Sequence, residues 1–308
     1  MRNVTLRQLR SFAAVARHLS FVRAADELGL TPPAVSMQIK ELEGEVGLPL
    51  FDRAGRGVSL TTTGEYFLAH VRRVLAALKD AEDTVARFKG LAGGHLTVGM
   101  VSSAQYFLPR LIARFRAEHP AVSVTLRVGN RQQLVAWMQR GEVDLAVMGR
   151  PPTEWATRAE PFAWNPLVLV VAPDHAFARM ERVSASAVSQ ESFIVREPGS
   201  GTRAALEDWR REHRLDLHLG MELPGNEAIK QAVMAGLGVS LLSRHAIALE
   251  LRQGLIAEPR AEGLPVMRRW HIVNLHAKML SPPAEALRYH VLEHGEPTLA
   301  AMFEPATG

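Results

Sequence analysis

Three small residues and their neighbours form the most chemically informative pattern in the sequence. Gly199, Gly201 and Ala204 match G-x-G-x-x-A, follow the strand pattern SFIVRE, and open a helix pattern. This is the spacing of a dinucleotide-binding loop. However, the motif lies deep in the chain, and Glu222 only roughly matches the acidic residue expected about twenty positions later.

Anion binding requires less than the full dinucleotide pattern. Ser200, Gly201 and Thr202 would present backbone N–H groups at a helix N-terminus, which attracts negative charge. Arg203 would add a full positive charge to the same loop. We therefore predict an anion-holding loop, and keep a nucleotide-dependent oxidoreductase and an ordinary capped helix as alternatives.

Polar residues also follow three successive strand patterns in the C-terminal two thirds of the chain. Ser102 and Ser103 end the first pattern, Asn130 follows the second, and Arg150 follows the third. Hydroxyl, amide and guanidinium groups at neighbouring strand ends could converge on one small anion. Alternatively, the serines and the asparagine only cap the helices that follow them.

Patterns typical of enzymes are missing. The sequence has no G-x-S-x-G or S-x-x-K motif and no cysteine, so it offers neither an activated serine nor a thiolate. We predict no catalytic residue, no metal site and no resident cofactor.

The elements that would position these groups alternate between strand and helix. Strands are predicted at 95–101, 122–128, 143–148, 167–172, 193–196, 217–222, 239–242 and 266–275. This alternation favours doubly wound parallel sheets with helices on both faces, an α/β fold that binds ligands at the carboxyl ends of its strands.

The N-terminal segment 20–43 predicts a different structure, a pair of short helices. Ser20 is a good N-cap, Gly29 breaks the helical run, and Thr31 caps a second helix that has Pro32 at its first position. A helix, a glycine turn and a second helix indicate a helix-turn-helix, whose second helix enters the DNA major groove. An ordinary αα-hairpin in a core is the alternative.

The second helix of this pair has two distinct faces. Val35, Ile39 and Leu42 form an apolar face, whereas the opposite face is small, polar or cationic. The residues that point away from the apolar face are Pro33, Ser36, Met37 and Lys40. This opposite face is the predicted DNA-reading surface.

A short hairpin pattern and a long helix follow. The hairpin bears Arg53 and Arg56 near its tip and indicates a wing suited to phosphate or minor-groove contact, with a solvated basic loop as the alternative. The helix at 63–89 repeats apolar residues every three or four positions, which predicts a coiled-coil dimer seam. An amphipathic helix packed on its own domain is the alternative. The glycine-rich segment GLAGG then predicts a hinge.

Composition sets broad limits. The 308 residues carry a formal net charge of +4, are 47% hydrophobic and 22% charged, and contain no apolar run long enough to span a membrane. We find no signal-peptide pattern and expect a cytoplasmic protein without membrane attachment. The missing signal peptide also argues against a secreted solute-binding protein.

The segment SFVRAADELGLTPPAVSMQIKELEGEVGLPLFDRAGRGVSLTTTG resembles the N-terminal signature of LysR-type transcriptional regulators. The resemblance extends along the whole chain, and SSAQYFLPRLIARF and VMGRPP are similar to the regulators of carbon-dioxide-fixation (RuBisCO) operons. Regulators of aromatic degradation within the same family are the other reading.

The resemblance implies roles for individual residues. DNA contacts are implied for Thr31, Pro33, Ser36, Gln38 and Arg56, to which the outer face and wing add Lys40 and Arg53. Effector contacts are implied for Ser102, Ser103, Asn130, Arg150, Thr202 and Arg203, to which the loop adds Gly201. The chain departs from the family pattern at Pro32, where many members have glutamine, and at Met37, where many have arginine.

The resemblance also implies an architecture. We expect an all-α winged helix-turn-helix domain at 1–62, a dimerisation helix at 63–90, and a two-lobed effector-binding α/β domain at 91–308, similar to periplasmic binding proteins. Lobe I would comprise 95–165 and 267–308, and lobe II 166–266. The expected partners are double-stranded DNA, further copies in a dimer and a tetramer, and RNA polymerase. The expected effector is a sugar phosphate, a carboxylate or a reduced dinucleotide.

Overall fold

The computed structural model describes residues 3–52, 57–88 and 93–303. The chain forms two compact units, Met1–Val85 and Ala86–Gly308. None of the helices in these described ranges is long and apolar enough to cross a membrane.

The first unit is a small helical domain with a two-stranded hairpin. Its elements are α1 (Leu6–His18), α2 (Phe21–Leu28), α3 (Pro32–Val46), β1 (Phe51–Asp52), β2 (Ser59–Leu60) and α4 (Thr62–Phe88). The predicted caps are confirmed, because the Ser20 and Thr31 hydroxyls accept from backbone N–H groups in the first turns of α2 and α3. Gly29 ends α2 with a φ of 64°, a conformation that glycine adopts without steric cost.

The predicted apolar face of α3 forms the centre of this unit. Val35, Ile39 and Leu42 are fully buried and pack in one core with α1 and the start of α4. Burial of each such side chain contributes about 1.5–3 kcal/mol to folding. On α2, Ala24 and Ala25 are buried, whereas Val22 is exposed.

The helix α4 packs against the core of the first unit near its start and leaves apolar side chains exposed farther along. Phe67 and Val71 pack into the core of the first unit, which agrees with the alternative of an amphipathic helix for that part. Farther along, Val74 is 46% exposed and Val85 is 51% exposed. The apolar seam is therefore shared between the unit's own core and an uncovered surface.

The second unit alternates helices and strands. Its strands are β3 (Gly94–Val101), β4 (Val122–Gly129), β5 (Leu145–Met148), β6 (Thr157–Val170), β7 (Ser192–Arg196), β8 (His218–Leu223), β9 (Ser240–Ser243) and β10 (Val266–Leu275). Its α-helices are α5 (Leu108–Glu118), α6 (Arg131–Gln139), α7 (Ala185–Ser189), α8 (Gly201–Glu212), α9 (Asn226–Met234), α10 (Ala248–Arg252) and α11 (Pro282–Ala300). Short 3-10 turns occupy Ser102–Ala104, Ala176–Arg179 and Arg244–Ile247.

The main sheet is mixed, so the prediction of wholly parallel sheets is wrong. Its strand order is β4-β3-β5-β10-β6-β9, in which β3 runs parallel to β4 and β5, while β10 is antiparallel to β5 and β6. The physical reason is that β10 returns from the other half of the unit and therefore enters against its neighbours. A separate pair, β7 and β8, is parallel.

The long strands β6 and β10 connect the two halves of the unit. One half has its core around β3, β5, α5 and α11, and the other around β7, β9, α8 and α9. We call these halves lobe I and lobe II; the predicted residue limits of the lobes and domains stay predictions. The prediction missed the first part of β6, which begins at residue 157, because Pro161 and Pro166 resemble strand breakers.

Candidate DNA interface and anion cavity

The outer face of α3 is open to solvent. Thr31, Pro33 and Lys40 are exposed, and Ser36 is partly exposed beside Met37, which is 59% exposed. Lys40 makes no ion pair with any residue in the described ranges, so its charge is available to a phosphate. The surface offers a hydroxyl, a cation and apolar groups to a DNA groove.

The structure corrects the assignment of Gln38 as a DNA contact. Gln38 lies on the packed side of α3 with an exposed fraction of 9%. Its side-chain oxygen accepts a hydrogen bond from the Ser11 hydroxyl at 2.5 Å. The amide therefore fixes α3 against α1, and its position beside Ile39 directs it away from the outer face.

The predicted hairpin is confirmed in its two strands. Phe51 pairs with Leu60, and the Glu43 carboxylate accepts from the backbone N–H groups of Leu50 and Phe51 at 2.8 and 3.1 Å. These bonds anchor the start of the hairpin to the end of α3. Arg53 and Arg56 lie outside the described residues, and their roles stay predictions.

A cavity of about 330 Å³, counted with its open mouth, lies between lobe I and lobe II. Lobe I contributes the carboxyl ends of β3 and β5 and the start of α6, and lobe II contributes the end of β7 and the first turn of α8. Its walls are formed by Val101, Ser102, Ser103, Asn130, Arg131, Met148, Gly149, Arg150, Arg196, Ser200, Gly201, Thr202 and Arg268.

The cavity brings together six of the seven predicted effector residues. Ser102, Ser103, Asn130, Arg150, Gly201 and Thr202 all line it. Arg203 does not, and this prediction is corrected. Its guanidinium points away to Glu207 at 3.0 Å and Glu222 at 3.4 Å, and donates to the Arg196 carbonyl at 3.2 Å.

The loop before α8 has the geometry that the glycine pattern predicts. Ser200 caps the helix by accepting from the Thr202 N–H at 3.2 Å, and both residues are buried. Gly199 has a φ of 82°, and a Cβ at this position would lie 2.6 Å from Oε1 of Gln132 in lobe I. The glycine therefore allows the two lobes to approach each other beside a helix N-terminus, where anions are favoured.

Asn130 and Asn226 show how capping and site roles overlap. Asn130 does cap α6, because its Oδ1 accepts from the Gln133 N–H at 3.0 Å, and it also lines the cavity. Asn226 is the first residue of α9, and Gly225 occupies the cap position. The buried Asn226 instead accepts from Arg196 Nη1 at 2.8 Å and thereby holds a wall residue in place.

The cavity wall contains three arginines that the sequence analysis missed, Arg131, Arg196 and Arg268. They differ in whether a carboxylate lies close enough to form an ion pair. Arg131 pairs with Glu154 at 3.4 Å, and Arg196 pairs with Glu197 at 2.8 Å. The predicted Arg150 pairs with Asp208 of lobe II at 3.0 Å. Within the described ranges, Arg268 alone among the four arginines has no carboxylate partner.

Arg268 carries the one arginine charge of the cavity that has no direct ion pair in the described ranges, although Asp208 lies near enough to act on it. It extends from β10, and its Nη1 donates to the Gly201 carbonyl at 2.8 Å, while its buried Nε has no hydrogen-bond partner. Burial, reinforced by the nearby charge of Arg150, lowers the pKa of Arg268 to about 10. The group stays protonated at neutral pH, so an anion that reached it would gain an unpaired, desolvated cation as a partner.

A wider groove opens from the cavity to solvent. It encloses about 1340 Å³, counted with open solvent, and shares Arg131, Arg150 and Ser200 with the cavity. Its remaining walls alternate in charge, with Arg203 and Arg211 near Glu207 and Asp208. The groove could hold the polar remainder of a ligand whose charged end lies in the cavity.

The lobes are also joined on a second side, by a cluster of charged and aromatic groups. The Tyr106 hydroxyl of lobe I donates to Glu227 at 2.5 Å, and Lys230 lies 2.8 Å from both Glu227 and Glu250. Burial and the bond to Glu227 raise the pKa of Tyr106 to about 12. We call Tyr106, Glu227, Lys230 and Glu250 the latch.

A helix-turn-helix unit joined to a two-lobed unit with a cationic cavity defines a ligand-responsive DNA-binding regulator. The chain matches the family model described as bacterial regulatory helix-turn-helix protein, lysR family, over residues 6–65. It matches the LysR substrate binding domain over residues 89–296. The chain belongs to the LysR family of DNA-binding transcriptional regulators.

Individual relatives agree with this membership. The chain is 49% identical over 282 residues to the HTH-type transcriptional regulator CbbR of Rhodospirillum rubrum, covering 92% of this chain and 94% of that one. It is 43% identical over 290 residues to the RuBisCO operon transcriptional regulator of Allochromatium vinosum, covering 94% and 96%. The regulatory domain of Synechocystis PCC6803 CcmR, solved in complex with 2-PG, is 36% identical with a TM-score of 0.63, covering 65% of this chain and 96% of that domain.

Proposed function

We propose that this LysR-family protein regulates a carbon-fixation (RuBisCO) operon, as an activator, in response to a small anion bound in the cavity between its lobes. The operon assignment is supported by the 43% identity to a RuBisCO operon regulator over nearly the whole of both chains. A regulator of another metabolic operon is the runner-up. On this proposal the chain is not an enzyme, acts in the cytoplasm, and needs no cofactor beyond its effector.

The observation that carries the effector proposal is the charge of Arg268. The guanidinium of Arg268 is partly buried, its buried Nε has no hydrogen-bond partner, and it forms no direct ion pair with a carboxylate in the described ranges. Such groups are costly unless a ligand completes them. The N–H groups at the start of α8 and the Ser102 and Ser103 hydroxyls supply further donors around the same space.

The dimensions of the cavity define the class of effector. Its enclosed part has room for little more than a water molecule, whereas the groove outside is several times larger. A phosphate or carboxylate head would therefore enter the cavity as the lobes separate slightly, and the remainder of the molecule would lie in the groove. Sugar phosphates, organic acids and the phosphate-bearing end of a reduced dinucleotide all satisfy this requirement.

The proposed mechanism depends on the fact that both lobes contribute residues to the cavity wall. An anion in the cavity gains contacts from lobe I, through the ends of β3 and β5, and from lobe II, through α8. Because these contacts depend on how far apart the lobes stand, the anion favours one arrangement of the lobes over another. The oligomer would transmit that preference to its DNA-bound shape.

The oligomer itself rests on the exposed part of α4. Val74 and Val85 leave apolar surface uncovered in a single chain, and a second copy of α4 would bury it. We propose a homodimer through this seam and a tetramer of two such dimers, which would present paired α3 helices to half-sites about 34 Å apart or at multiples of that spacing. RNA polymerase is the further partner expected of an activator.

Effector binding is tested by titrating the full chain calorimetrically with 2-PG and, separately, with inorganic phosphate. We expect binding in the wild type and its loss in Arg150→Ala and Thr202→Ala, which both alter the cavity wall. Arg179→Ala is the matched control, since this exposed arginine of lobe II lines neither the cavity nor the groove, and it should bind as the wild type does. Full binding by both wall variants would refute the cavity as the effector site.

Operator binding is tested by gel shift on DNA upstream of the RuBisCO genes and on random DNA of equal length. We expect preferential binding to the former, less discrimination in Ser36→Ala, and a log–log salt slope reduced by about 1 in Arg56→Ala. An oxidoreductase or a solute-binding protein would shift neither DNA. Equal affinity for both DNAs in the wild type would contradict the operon assignment.

A further inference from the structure

Two histidines and a glutamate meet on lobe I, away from the cavity walls and the latch. His290 and His294 are four residues apart on α11 and therefore share one face of the helix. Glu118 is the last residue of α5, which packs against α11 in the lobe I core. One donor atom from each of the three side chains lies within 4.8 Å of the other two.

His290 is the buried member of this cluster. It is 6% exposed, its Nδ1 lies 3.3 Å from Oε2 of Glu118, and its buried Nε2 has no hydrogen-bond partner in the described ranges. A neutral imidazole has one donor and one acceptor nitrogen, so one polar atom of the ring is left unsatisfied inside the protein. Leaving a buried polar atom without a partner costs about 1–3 kcal/mol.

We propose that Glu118, His290 and His294 bind a divalent first-row transition ion of the Zn²⁺ class. Two imidazole nitrogens and a carboxylate oxygen are ligands that such ions accept, whereas Mg²⁺ and Ca²⁺ prefer oxygen alone. Three protein ligands leave a fourth tetrahedral position for water. The ion would bind His290 through Nδ1, the nitrogen that faces Glu118, and would tie the end of α5 to α11.

The geometry needs only a small contraction. Zinc ligands lie about 2.0–2.2 Å from the metal, which places them roughly 3.3 Å from one another in a tetrahedron. Glu118 is about half exposed and His294 is at the surface edge, so both can rotate toward the buried His290. The competing contacts are long, namely Arg114 to Glu118 at 3.4 Å and Glu293 to His294 at 3.9 Å.

This proposal departs from the sequence-based expectation that the chain has no metal site. His290 and His294 have the H-x-x-x-H spacing that places two imidazoles on one face of a helix. Its carboxylate comes from a distant part of the chain, so the complete set becomes visible only when α5 and α11 pack together. The residues of the effector cavity take no part in it.

The test is a Zn²⁺ titration of the full chain, without an affinity tag, against a competing chromophoric chelator. We expect one tight equivalent per chain in the wild type, and affinity lowered by about tenfold or more in His294→Gln and in Glu118→Gln. These two residues are accessible, so neither replacement opens the core, and circular dichroism of the metal-free variants should match the wild type. His218→Gln, at an exposed histidine of lobe II, is the matched control and should leave binding unchanged.

A second readout distinguishes a built site from scattered surface binding. Co²⁺ should give the strong visible absorption of a four-coordinate site in the wild type and in His218→Gln, and Zn²⁺ should raise the melting temperature of both. Neither effect should occur in His294→Gln. The proposal is overturned if His294→Gln and Glu118→Gln bind as the wild type does, or if the His218→Gln control loses as much affinity as they do.

Discussion

The lobes meet at two places that differ in how their charges are balanced. At the latch, the one buried cation, Lys230, has Glu227 and Glu250 at 2.8 Å, and Tyr106 satisfies Glu227 from the other lobe. At the cavity, the partly buried Arg268 donates to a carbonyl and forms no ion pair with a carboxylate in the described ranges. The charges of the latch are paired without a ligand, although Oε2 of Glu250 has no hydrogen-bond partner, whereas the charge of Arg268 in the cavity forms no ion pair in the described ranges.

This difference suggests different roles for the two places: the latch stabilises one arrangement of the lobes, and the cavity is the proposed site for an anion. A paired cluster stabilises one arrangement of the lobes whatever the solution contains, since breaking it exposes unpaired buried charge. A cation without an ion pair contributes little to the stability of the fold, but it can form a favourable contact with an anion that binds beside it. Four predictions test this distinction through the unfolding free energy of the second unit, which holds all five tryptophans and can be followed by their fluorescence in urea.

The largest effect is expected at the latch cation. Lys230→Met should lower the unfolding free energy by about 3 kcal/mol, because it leaves the buried Glu250 carboxylate without its partner. Arg252→Met removes an exposed cation from the neighbouring helix α10 and should change stability by less than about 0.5 kcal/mol. Equal losses in the two variants would mean that the latch is not a special point of attachment.

The second effect is a dependence on pH near the latch. Burial, with a smaller contribution from Arg244, lowers the pKa of His245 to about 4. Between the unfolded value of about 6.5 and pH 4 the unfolded chain binds a proton that the folded chain does not, so stability falls as pH falls. We expect about 2 kcal/mol more loss between pH 7 and pH 5 in the wild type than in His245→Gln, and a parallel pH profile in both would remove this role.

A smaller effect is expected at the neutral member of the latch. Tyr106→Phe deletes the hydroxyl that crosses between the lobes but leaves Glu227 paired with Lys230. The loss should be about 1 kcal/mol, the value of one hydrogen bond. If urea unfolding of this variant superimposes on the wild type, the cross-lobe bond does not contribute to stability.

The smallest effect on stability, with the largest on binding, is expected at Arg268. Because Arg268 has no direct ion pair in the described ranges, its removal leaves no carboxylate without its partner, and Arg268→Met should unfold within about 1 kcal/mol of the wild type. Its affinity for 2-PG should fall by about tenfold or more, the change expected when a charged hydrogen-bond donor is lost. A strong loss of stability with intact binding would reverse the comparison between cavity and latch.

Local signals predicted the local structure well. Ser20, Gly29 and Thr31 fix helix ends through bonds to residues within one turn, so their roles were visible in the sequence. The strand-end residues Ser102 and Arg150 were also found, since β3 and β5 are parallel and end at the same edge. These inferences needed only periodicity and a rule about where parallel strands end.

Errors arose where a long-range contact decides the direction of a side chain. Arg203 follows the predicted loop but turns to carboxylates on its own lobe, whereas Arg268 arrives from the last strand of the sheet. The sequence did contain a signal for Arg268. It lies two and four residues before the buried Trp270 and Ile272, so it shares their inward face of β10. Gln38 likewise sits three residues from Val35 and four from Leu42, which places it on the packed face of α3.

The pairing of β6 and β10 limits how lobe I and lobe II can move relative to each other. The two strands form one continuous antiparallel ribbon through both lobes, interrupted by a register shift between Trp270 and His271. Strands joined by a ladder of hydrogen bonds cannot slide past each other, so the lobes can reorient only if the ribbon bends. A register shift such as the one between Trp270 and His271 is where a ribbon bends. On the proposed mechanism, occupancy of the cavity would change the curvature of the ribbon at this joint.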